Sequence, residues 1–560
     1  MVKRILGMLS KEVGNIHHAA YLIGFFAVLS QLLGLFRDRL FAYYFGAGQV
    51  LDVYYTSFKI PDFIFVSVAS FVSISVLVPF VVERLKGDTD VLRNFIGSLF
   101  SFFSLLMVGV SIIAYVLTPW LVHWLFPGIS AQESYDQLVL LTRIALLSPI
   151  LLGLSNLFAS ITQACKRFII YAISPLLYNF GIIVGIVIFY PMIGIAGLAW
   201  GVVLGALMHL LIQLPFVYSH GLMPRLQWKF DFSSIKEIVL LSAGRTVALS
   251  SSTIATVVLL GFGSLMSIGS IAVFNFSWNM QSVPLAIVGV SYSIALFPTI
   301  SRFFSTGERA QFVEAMLTAA RHIVFWSVPI SALFVVLRAQ IVRTILGSGN
   351  FSWSNTRLVA AALAVFSVSV VAQSLVLLFI RAYYASGRTK TPLLVNVFSG
   401  MVAIASSYGL WKLFLSWPVF RFFVESLLRV EGIPGTEVIM LPLGYSISML
   451  LNLALFWYVF HREAPGFTRR LLRVFFQNFA GAMIMAVVAY LSLQWLSSIF
   501  DLNTVLGIFA QGFFAGILGI IAGVIVLRAL ESQELKEVWG TLHAKIWNTK
   551  VIVSETDVLP

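Results

Sequence analysis

Long apolar stretches separated by short polar loops run through almost the whole chain. About fourteen of these stretches reach the roughly 20 residues that a membrane-spanning helix needs. Their approximate centres are Phe26, Val68, Val108, Leu151, Gly181, Gly205, Ser250, Val283, Val328, Val371, Met401, Leu450, Met485 and Leu518. The pattern predicts an all-α polytopic membrane protein with about fourteen transmembrane helices.

Composition supports this prediction. Of the 560 residues, 59% are hydrophobic and only 11% are charged, which a soluble protein of this size could not accommodate. The first apolar run begins near Ala19, has the length of a full span and lacks a small-residue cleavage site, so we expect a retained helix rather than a signal peptide. Cys165 is the only cysteine, which excludes an internal disulfide and a cysteine-based metal site.

The distribution of basic residues predicts the topology. The net charge is +13, and Lys and Arg concentrate in every second loop, whereas the loops around Ser130, Pro191, Gly263 and Asn503 carry none. Under the positive-inside rule, this alternation places both termini in the cytoplasm and requires an even number of spans. Because the basic residues follow membrane topology, we do not expect nucleic acid as a partner.

Three predicted outer loops contain basic residues against this rule. They are a turn at Arg37–Arg39, the segment 338–357 and the segment 411–437. The last contains the amphipathic sequence FRFFVESLLRV, which predicts either a surface helix whose Arg421 and Arg429 meet lipid phosphates, or a loop cover that binds no ligand.

Three pairs of landmarks indicate an internal repeat. Pro79 and Pro298, and likewise Gly128 and Gly347, lie 219 residues apart, and Pro175 and Pro392 lie 217 apart. Nearly constant spacing predicts two parallel six-helix lobes, with a substrate site between them near mid-membrane. The predicted division is a cytoplasmic segment 1–18, an N-lobe 19–220, a C-lobe 221–465, a C-terminal helix pair 466–530 and a cytoplasmic tail 531–560.

The C-terminal helix pair falls outside the repeat and allows two interpretations. It could form a lateral groove for an acyl chain, or it could be a packing or oligomer surface. Its glycines allow close approach of helices, which fits the second interpretation as well as the first. They are Gly512, Gly516, Gly519 and Gly523.

Residues 31–62 hold the densest group of charges in the apolar part of the chain: Arg37, Asp38, Arg39, Asp52, Lys59 and Asp62. Charge inside a membrane is costly unless it faces a partner or water, so these residues predict a hydrated cleft. Arg37 is either a phosphate-binding arginine oriented by Asp38 or half of an ion pair that closes a turn. Lys59 either faces the cleft beside a hinge at Pro61 or pairs with Asp52.

Other charged residues give weaker signals. Arg143, Arg245 and Arg381 either line the cleft or extend to the membrane surface. No motif for a metal, a bound nucleotide or a catalytic nucleophile is present, so we expect neither an enzyme nor a cofactor. No Asp occurs between Ser233 and Val419, which makes a carboxylate cation site in the second half improbable.

Several motifs resemble the MviN/MurJ lipid II flippases of the MOP exporter superfamily. They are GLFRD at 34–38, FGAG at 45–48, LD at 51–52, FKIP at 58–61 and LFPTISR at 296–302. The resemblance implies fourteen helices in two lobes around a cationic cavity, and export of an undecaprenyl-pyrophosphate-linked peptidoglycan precursor. It also implies that Arg37 is a cavity arginine, Asp52 a typical acidic residue of the family and Lys59 the lysine of the second helix.

The chain departs from the family pattern at several cavity positions. Gln31 stands where the first helix usually has an arginine, and Phe65 where a basic residue follows the second-helix proline. In the eighth helix, Asn279 and Ser282 replace an expected Arg and Glu. The cavity is therefore expected to be less cationic, because Gln or Asn does not replace an arginine phosphate clamp electrostatically.

We therefore predict a lipid II flippase that works by alternating access in the bacterial cytoplasmic membrane. The expected substrate-binding residues are Arg37, Asp38, Asp52, Lys59, Gln31 and Asn279, and the expected hinges are Pro61 and Pro284. Cell-wall synthesis proteins are candidate partners. Two alternatives remain: a transporter of another lipid-linked glycan or a drug, and a non-transporting scaffold that keeps the fold.

Overall fold

The computed structural model describes residues 16–69, 77, 81, 89–131, 133–165, 167–228, 230–464 and 466–547. Within these ranges the chain is helical and contains no strand. Pro79, most of the predicted segment 1–18 and the tail beyond residue 547 lie outside the described residues.

The helices are numbered in chain order. They are α1 (Ile16–Phe45), α2 (Gln49–Ser57), α3 (Lys59–Ile64), α4 (Thr89–Leu125), α5 (Pro127–Ser130), α6 (Tyr135–Ala145), α7 (Leu147–Ala164), α8 (Phe168–Val184), α9 (Tyr190–Ile193), α10 (Ala196–Leu211), α11 (Leu214–Ser219), α12 (Phe232–Ser264), α13 (Ser270–Pro284), α14 (Ser291–Ser305), α15 (Arg309–Val336), α16 (Arg338–Leu346), α17 (Trp353–Ala385), α18 (Lys390–Ser416), α19 (Pro418–Leu428), α20 (Met440–Glu463), α21 (Phe467–Leu496), α22 (Val505–Ala529) and α23 (Gln533–Trp547). Three π-helical segments occupy Phe65–Ala69, Gly185–Phe189 and Leu285–Val290, and a short 3₁₀ helix occupies Thr436–Ile439.

The apolar runs form helices of membrane-spanning length. Among the described residues, 12 helical stretches are long and apolar enough to cross a membrane, from Arg93–Leu125 to Val505–Ala529. Each contains the centre of one predicted run, from the third run to the fourteenth. The prediction of an all-α polytopic membrane protein is confirmed, whereas the count of fourteen spans stays a prediction.

The two predicted hinge prolines lie beside breaks in regular α-helix. Pro61 is in the short helix α3, which a π segment follows at Phe65–Ala69. Pro284 ends α13, and a π segment begins at the next residue. Proline removes a backbone hydrogen-bond donor, and a π turn shifts the pairing from i+4 to i+5. Both positions are therefore local interruptions in a long helical stretch.

The described chain packs as two compact units. The first comprises described residues within Met1–Val283, Ile341–Ser369 and Gly387–Leu455, and the second those within Pro284–Gln340, Val370–Ser386 and Phe456–Pro560. The chain thus leaves the first unit at the predicted hinge Pro284. These units do not follow the predicted lobe boundaries at 220 and 465, and the lobes stay a prediction.

In the first unit, α8 and the following π segment pack closely against α10. A side chain at Gly185 would place its Cβ 2.6 Å from the Cα of Gly201, and Gly181 faces Gly205 in the same way. Glycine is required at this crossing because backbone meets backbone. This contact holds the end of α8, which contributes to the candidate site described below.

In the second unit, α21 and α22 pack against each other through glycines. A Cβ at Gly519 would lie 2.9 Å from the carbonyl oxygen of Met485, and Gly523 faces the same methionine. Gly512 faces Gln340 and Gly516 faces Leu337. These four of the five glycines of α22 thus make close contacts within the unit, which favours the packing interpretation of the C-terminal pair.

Helix α23 docks onto α15 through two acid–base contacts. Arg321 Nε donates to Glu534 Oε1 at 2.7 Å, and His322 Nε2 lies 3.1 Å from Glu537 Oε2. Glu534 is almost fully buried, at 1% exposure. Burial by itself raises the pKa of Glu534, but hydrogen bonds from its own backbone amide, Arg321 and Ser532 outweigh burial and hold the pKa below the usual value for glutamate.

The segment 411–437 contains the predicted amphipathic helix, α19. Phe422 and Leu427 are 67% and 65% exposed. Arg421 donates to Glu425 Oε1 at 2.9 Å, and that oxygen also accepts the hydroxyl of Thr436 at 2.6 Å. The helix is therefore held to the following chain through Glu425, while Phe422 and Leu427 face outward.

Candidate functional site

Arg37 and Asp38 form an ion pair inside the first long helix. Arg37 donates to Asp38 Oδ1 from Nε at 3.0 Å and from Nη2 at 2.8 Å. The Asp38 side chain is 4% exposed and the Arg37 side chain is 20% exposed. Helix α1 continues to Phe45, so the predicted turn at Arg37–Arg39 is wrong. Asp38 thus orients a partly accessible arginine within a helix.

Two asparagines from other helices complete this arrangement. Arg37 Nη1 donates to Asn179 Oδ1 of α8 at 3.0 Å, and Asn279 Nδ2 of α13 donates to Asp38 Oδ2 at 2.9 Å. We call Arg37, Asp38, Asn179 and Asn279 the Arg37 cluster. Asn279 holds the Asp38 carboxylate, and Asp38 and Asn179 together hold the guanidinium of Arg37 in place.

Asn179 was not among the predicted site residues. The sequence nevertheless carried a signal for it, because it ends the repeated segment SPLLYN, whose counterpart TPLLVN ends at Asn396. Asn396 Oδ1 also accepts a hydrogen bond from another helix, donated by Asn452 Nδ2 at 3.2 Å. A polar residue kept at the same place in both apolar segments could have indicated contacts between helices.

Two residues that depart from the family pattern contact each other. Gln31 Nε2 donates to Ser282 Oγ at 3.4 Å, although the two residues lie 251 positions apart. Gln31 stands in place of an arginine and Ser282 in place of a glutamate. The chain therefore has a neutral hydrogen bond where the resemblance implies opposite charges, so neither departure leaves an isolated charge.

Asp52 binds backbone at the start of α13. Its Oδ2 accepts from the amide of Gly269 at 2.6 Å and its Oδ1 from the amide of Ala272 at 2.8 Å. Asp52 is 7% exposed. The first amides of a helix lack intrahelical partners and carry partial positive charge, so a carboxylate stabilises them. These contacts give Asp52 a structural role, whereas its predicted role in substrate binding has no direct support from them.

Lys59 and Asp62 lie at the break around Pro61. Lys59 is half-buried and Asp62 is exposed, and the two interact electrostatically. Tyr54 and Tyr178 each interact electrostatically with both Arg37 and Asp62. Among the described residues, the carboxylate that interacts with Lys59 is thus Asp62 and not the alternative partner Asp52. Because both tyrosines interact with Arg37 as well as Asp62, the Lys59–Asp62 pair lies near the Arg37 cluster.

The end of α1 contacts the end of α16 and the loop that follows it. Arg39 Nη1 donates to the carbonyl of Thr344 at 2.9 Å, and the Asn350 amide donates to the Tyr43 carbonyl at 2.9 Å. Gly349 has a φ of +57° and leaves no room for a Cβ beside Tyr43, so this position requires glycine. We call the contacts of residues 39–52 with 269–272 and 344–350 the junction.

The other predicted arginines lie elsewhere. Arg143 lies over the ring of Tyr115 at 4.8 Å, and in the second unit Arg381 lies over Phe297 at 5.6 Å. Arg245 is in α12, and its side chain is outside the described part. Within the described part, no group of three or more His, Cys, Asp and Glu residues is arranged to hold a metal ion.

Comparison with protein families gives a match over most of the chain. The family model described as "Lipid II flippase MurJ" matches residues 41–514. The matched part includes Asp52 and Lys59 and begins just after Arg37 and Asp38.

Individual relatives agree with the family model. The chain is 24% identical over 486 residues to the "Probable lipid II flippase MurJ" of Buchnera aphidicola subsp. Acyrthosiphon pisum, covering 82% of this chain and 94% of that protein. It is 23% identical over 403 residues to the "Lipid II flippase MurJ" of Burkholderia cenocepacia, covering 70% and 78%.

Two solved structures show the same fold. "Lipid II flippase MurJ, inward closed conformation" aligns with a TM-score of 0.71 and 21% identity, covering 91% of this chain and 99% of that chain. An inward-facing multidrug resistance MATE family transporter of the MOP superfamily aligns with a TM-score of 0.61 and 12% identity, covering 80% and 94%. At these identities the likeness concerns the fold alone.

Proposed function

Because the chain belongs to the lipid II flippase MurJ family, we propose that this multi-pass membrane protein moves lipid II across the bacterial cytoplasmic membrane. The substrate of this proposal is an undecaprenyl-pyrophosphate-linked glycan lipid. The observation that carries the proposal at the level of residues is the Arg37 cluster, a fixed and partly accessible arginine in a helical membrane protein.

In the proposed mechanism, Arg37 holds the pyrophosphate. Asp38 and Asn179 engage three of its five N–H groups, and the 20% exposure of the side chain leaves an accessible side for a ligand. A phosphate oxygen on that side would accept charge-assisted hydrogen bonds from a guanidinium already in place. When no substrate is bound, Asp38 offsets the charge of Arg37. Lys59 supplies a second cation nearby.

Alternating access requires a closed end and an end that opens. We propose that both termini lie in the cytoplasm, which puts the junction at the outer surface. The junction hydrogen bonds then close the outer end, so the head group enters the cleft from inside. Release outside requires these bonds to break. Pro61 and Pro284 are the proposed hinges, supported by the π segment that follows each of them and by the unit boundary at Pro284.

The two alternatives differ in what they require of Arg37. Another lipid-linked glycan would use the same phosphate contact, so only the cargo would change. A non-transporting scaffold, which would act through cell-wall synthesis proteins, has no use for an accessible intramembrane arginine, and such a group is costly to keep. The Arg37 cluster therefore favours transport over the scaffold.

The test is lipid II translocation in proteoliposomes by Arg37→Gln and Arg37→Lys. We expect Arg37→Gln to lower the rate roughly tenfold to hundredfold, the value of one or two hydrogen bonds to a charged group. Arg37→Lys keeps the charge but not the planar geometry and should retain intermediate activity.

Arg309→Gln, at an exposed arginine in α15, is the matched control and should transport normally. Normal transport by Arg37→Gln would refute the proposed site. The scaffold hypothesis instead predicts normal growth with Arg37→Gln and loss of growth when residues 532–547 are deleted.

A further inference from the structure

A groove separate from the Arg37 cluster lies on the first unit. Its volume is about 500 Å³, and it is bordered by α4, α6, α7 and α10. This size falls within the roughly 300–1,000 Å³ of typical ligand sites. Its walls are mainly large apolar side chains, including Ile112, Leu140 and Trp200 at 59%, 48% and 42% exposure. Such walls suit an acyl chain.

A proline in α4 explains why Arg143 is fixed on this groove. Pro119 has no amide hydrogen, so the Tyr115 carbonyl four residues earlier loses its helical partner. Arg143 Nε donates to that carbonyl at 3.4 Å, and the guanidinium lies over the Tyr115 ring at 4.8 Å. Among the described residues, no carboxylate forms an ion pair with Arg143. Its Nη groups therefore remain available to a ligand.

Asp136 gives the groove a second, opposite pole. It is exposed, lines the same groove and precedes Arg143 by seven residues, which is about 10.5 Å along a helix. Both residues line the groove from α6, Asp136 in the first turn of the helix and Arg143 in the last. The stacked and exposed Trp120 and Trp124 mark the nearby end of α4 as an interfacial belt. The negative pole thus lies nearer the membrane boundary than the positive one.

We propose that this groove binds a zwitterionic phospholipid of the phosphatidylethanolamine type. The phosphate accepts hydrogen bonds from Arg143, the ammonium faces Asp136, and one acyl chain lies along the apolar walls. A cation facing hydrocarbon is costly, and the phosphate offsets this cost. A purely anionic head group would satisfy Arg143 but be repelled by Asp136. The site does not depend on the flippase proposal, because it shares no residue with the Arg37 cluster.

The test is native mass spectrometry of the delipidated full chain, titrated with dioleoyl phosphatidylethanolamine, dioleoyl phosphatidylglycerol or inorganic phosphate. We expect the dissociation constant of the first bound phosphatidylethanolamine molecule to be about tenfold lower than that of the first bound phosphatidylglycerol molecule. Arg143→Gln should weaken its binding at least about tenfold, as expected for one hydrogen bond to a charged group. Asp136→Asn should remove the preference between the two lipids. Arg309→Gln, at an exposed arginine of α15 outside the groove, should bind as the wild type does.

Three results would overturn the proposal: unchanged binding by Arg143→Gln, a preference for phosphatidylethanolamine that survives Asp136→Asn, and binding of inorganic phosphate that matches binding of the lipid. If Arg143→Gln does not fold, Asp136→Asn still decides, because Asp136 is exposed and its side chain forms no hydrogen bond or ion pair with another described residue.

Discussion

Replacing Asp52 by asparagine should loosen the start of α13. The carboxylate accepts two short backbone hydrogen bonds, at 2.6 and 2.8 Å, in a nearly dry environment. Asparagine has one acceptor oxygen, so its NH₂ group would face an amide donor and leave that amide without a partner. The substitution also removes the negative charge at the positive end of a helix.

The magnitude follows from these two losses. A hydrogen bond to a charged group contributes about 1.5–3 kcal/mol, and a partly buried charge at a helix end up to about 2 kcal/mol. Because such terms overlap, we expect a total of roughly 2–4 kcal/mol in the free energy of local opening. Amide hydrogen exchange of Gly269 and Ala272 should then accelerate by about 30-fold to 1,000-fold.

Hydrogen-exchange mass spectrometry of the peptide that covers these amides is the assay. Glu437→Gln is the matched control, because Glu437 also accepts a backbone amide at the same helix start, from Ser267 at 3.0 Å, but in exposed surroundings. Its effect should be below about tenfold, because both hydrogen bonds from Ser267 go to one oxygen, which glutamine keeps as an acceptor. Unchanged exchange in Asp52→Asn, or equal effects of the two variants, would refute the assignment of Asp52 as the cap of α13.

Two further predictions concern packing and pH. Gly185→Ala should lower the thermal midpoint, because its Cβ would lie 2.6 Å from the Cα of Gly201 and overpacking costs about 1–3 kcal/mol; Gly109→Ala, with nothing within 4 Å, should be neutral or slightly stabilising. The pKa of Glu534 is held below its usual value, so the docking of α23 should be intact at neutral pH and weaken as pH falls through that lowered value. Limited proteolysis at Gln533–Trp547 across pH should show this loss. Glu534→Gln should reduce the pH dependence, since only the His322–Glu537 contact then remains; resistance at all pH values would contradict the prediction.

Hydrophobic periodicity could predict the helices but not where they meet. Each of the 12 candidate spans contains a predicted centre because spanning lipid demands a long apolar run, which is visible locally. The error at Arg37–Arg39 has the same origin. Three adjacent charges suggested a polar turn, yet α1 continues through them because Arg37 and Asp38 pair with each other and the other partners lie on other helices.

The candidate site shows the limit of this reasoning more sharply. Arg37 and Asp38 were identifiable because charges are rare in this chain. Asn179 could be recognised only as a repeated polar position, because its partner Arg37 lies 142 positions away in sequence. Asp52 shows the reverse error. Its charge in an apolar chain suggested a ligand contact, whereas in the structure it accepts hydrogen bonds from two backbone amides.

The sequence by itself determined that this protein is a helical, multi-pass membrane protein of the MurJ family, because hydrophobic length and motifs are properties of contiguous residues. Only the tertiary structure decided what each charge does. It pairs Asp38 with Arg37 and Asn279, places Asp52 at the start of α13 and sets Arg143 on a largely apolar groove. The reason is physical: in an apolar interior the energy of a charge depends on the few polar atoms nearest to it, and distant segments of the chain supply those atoms.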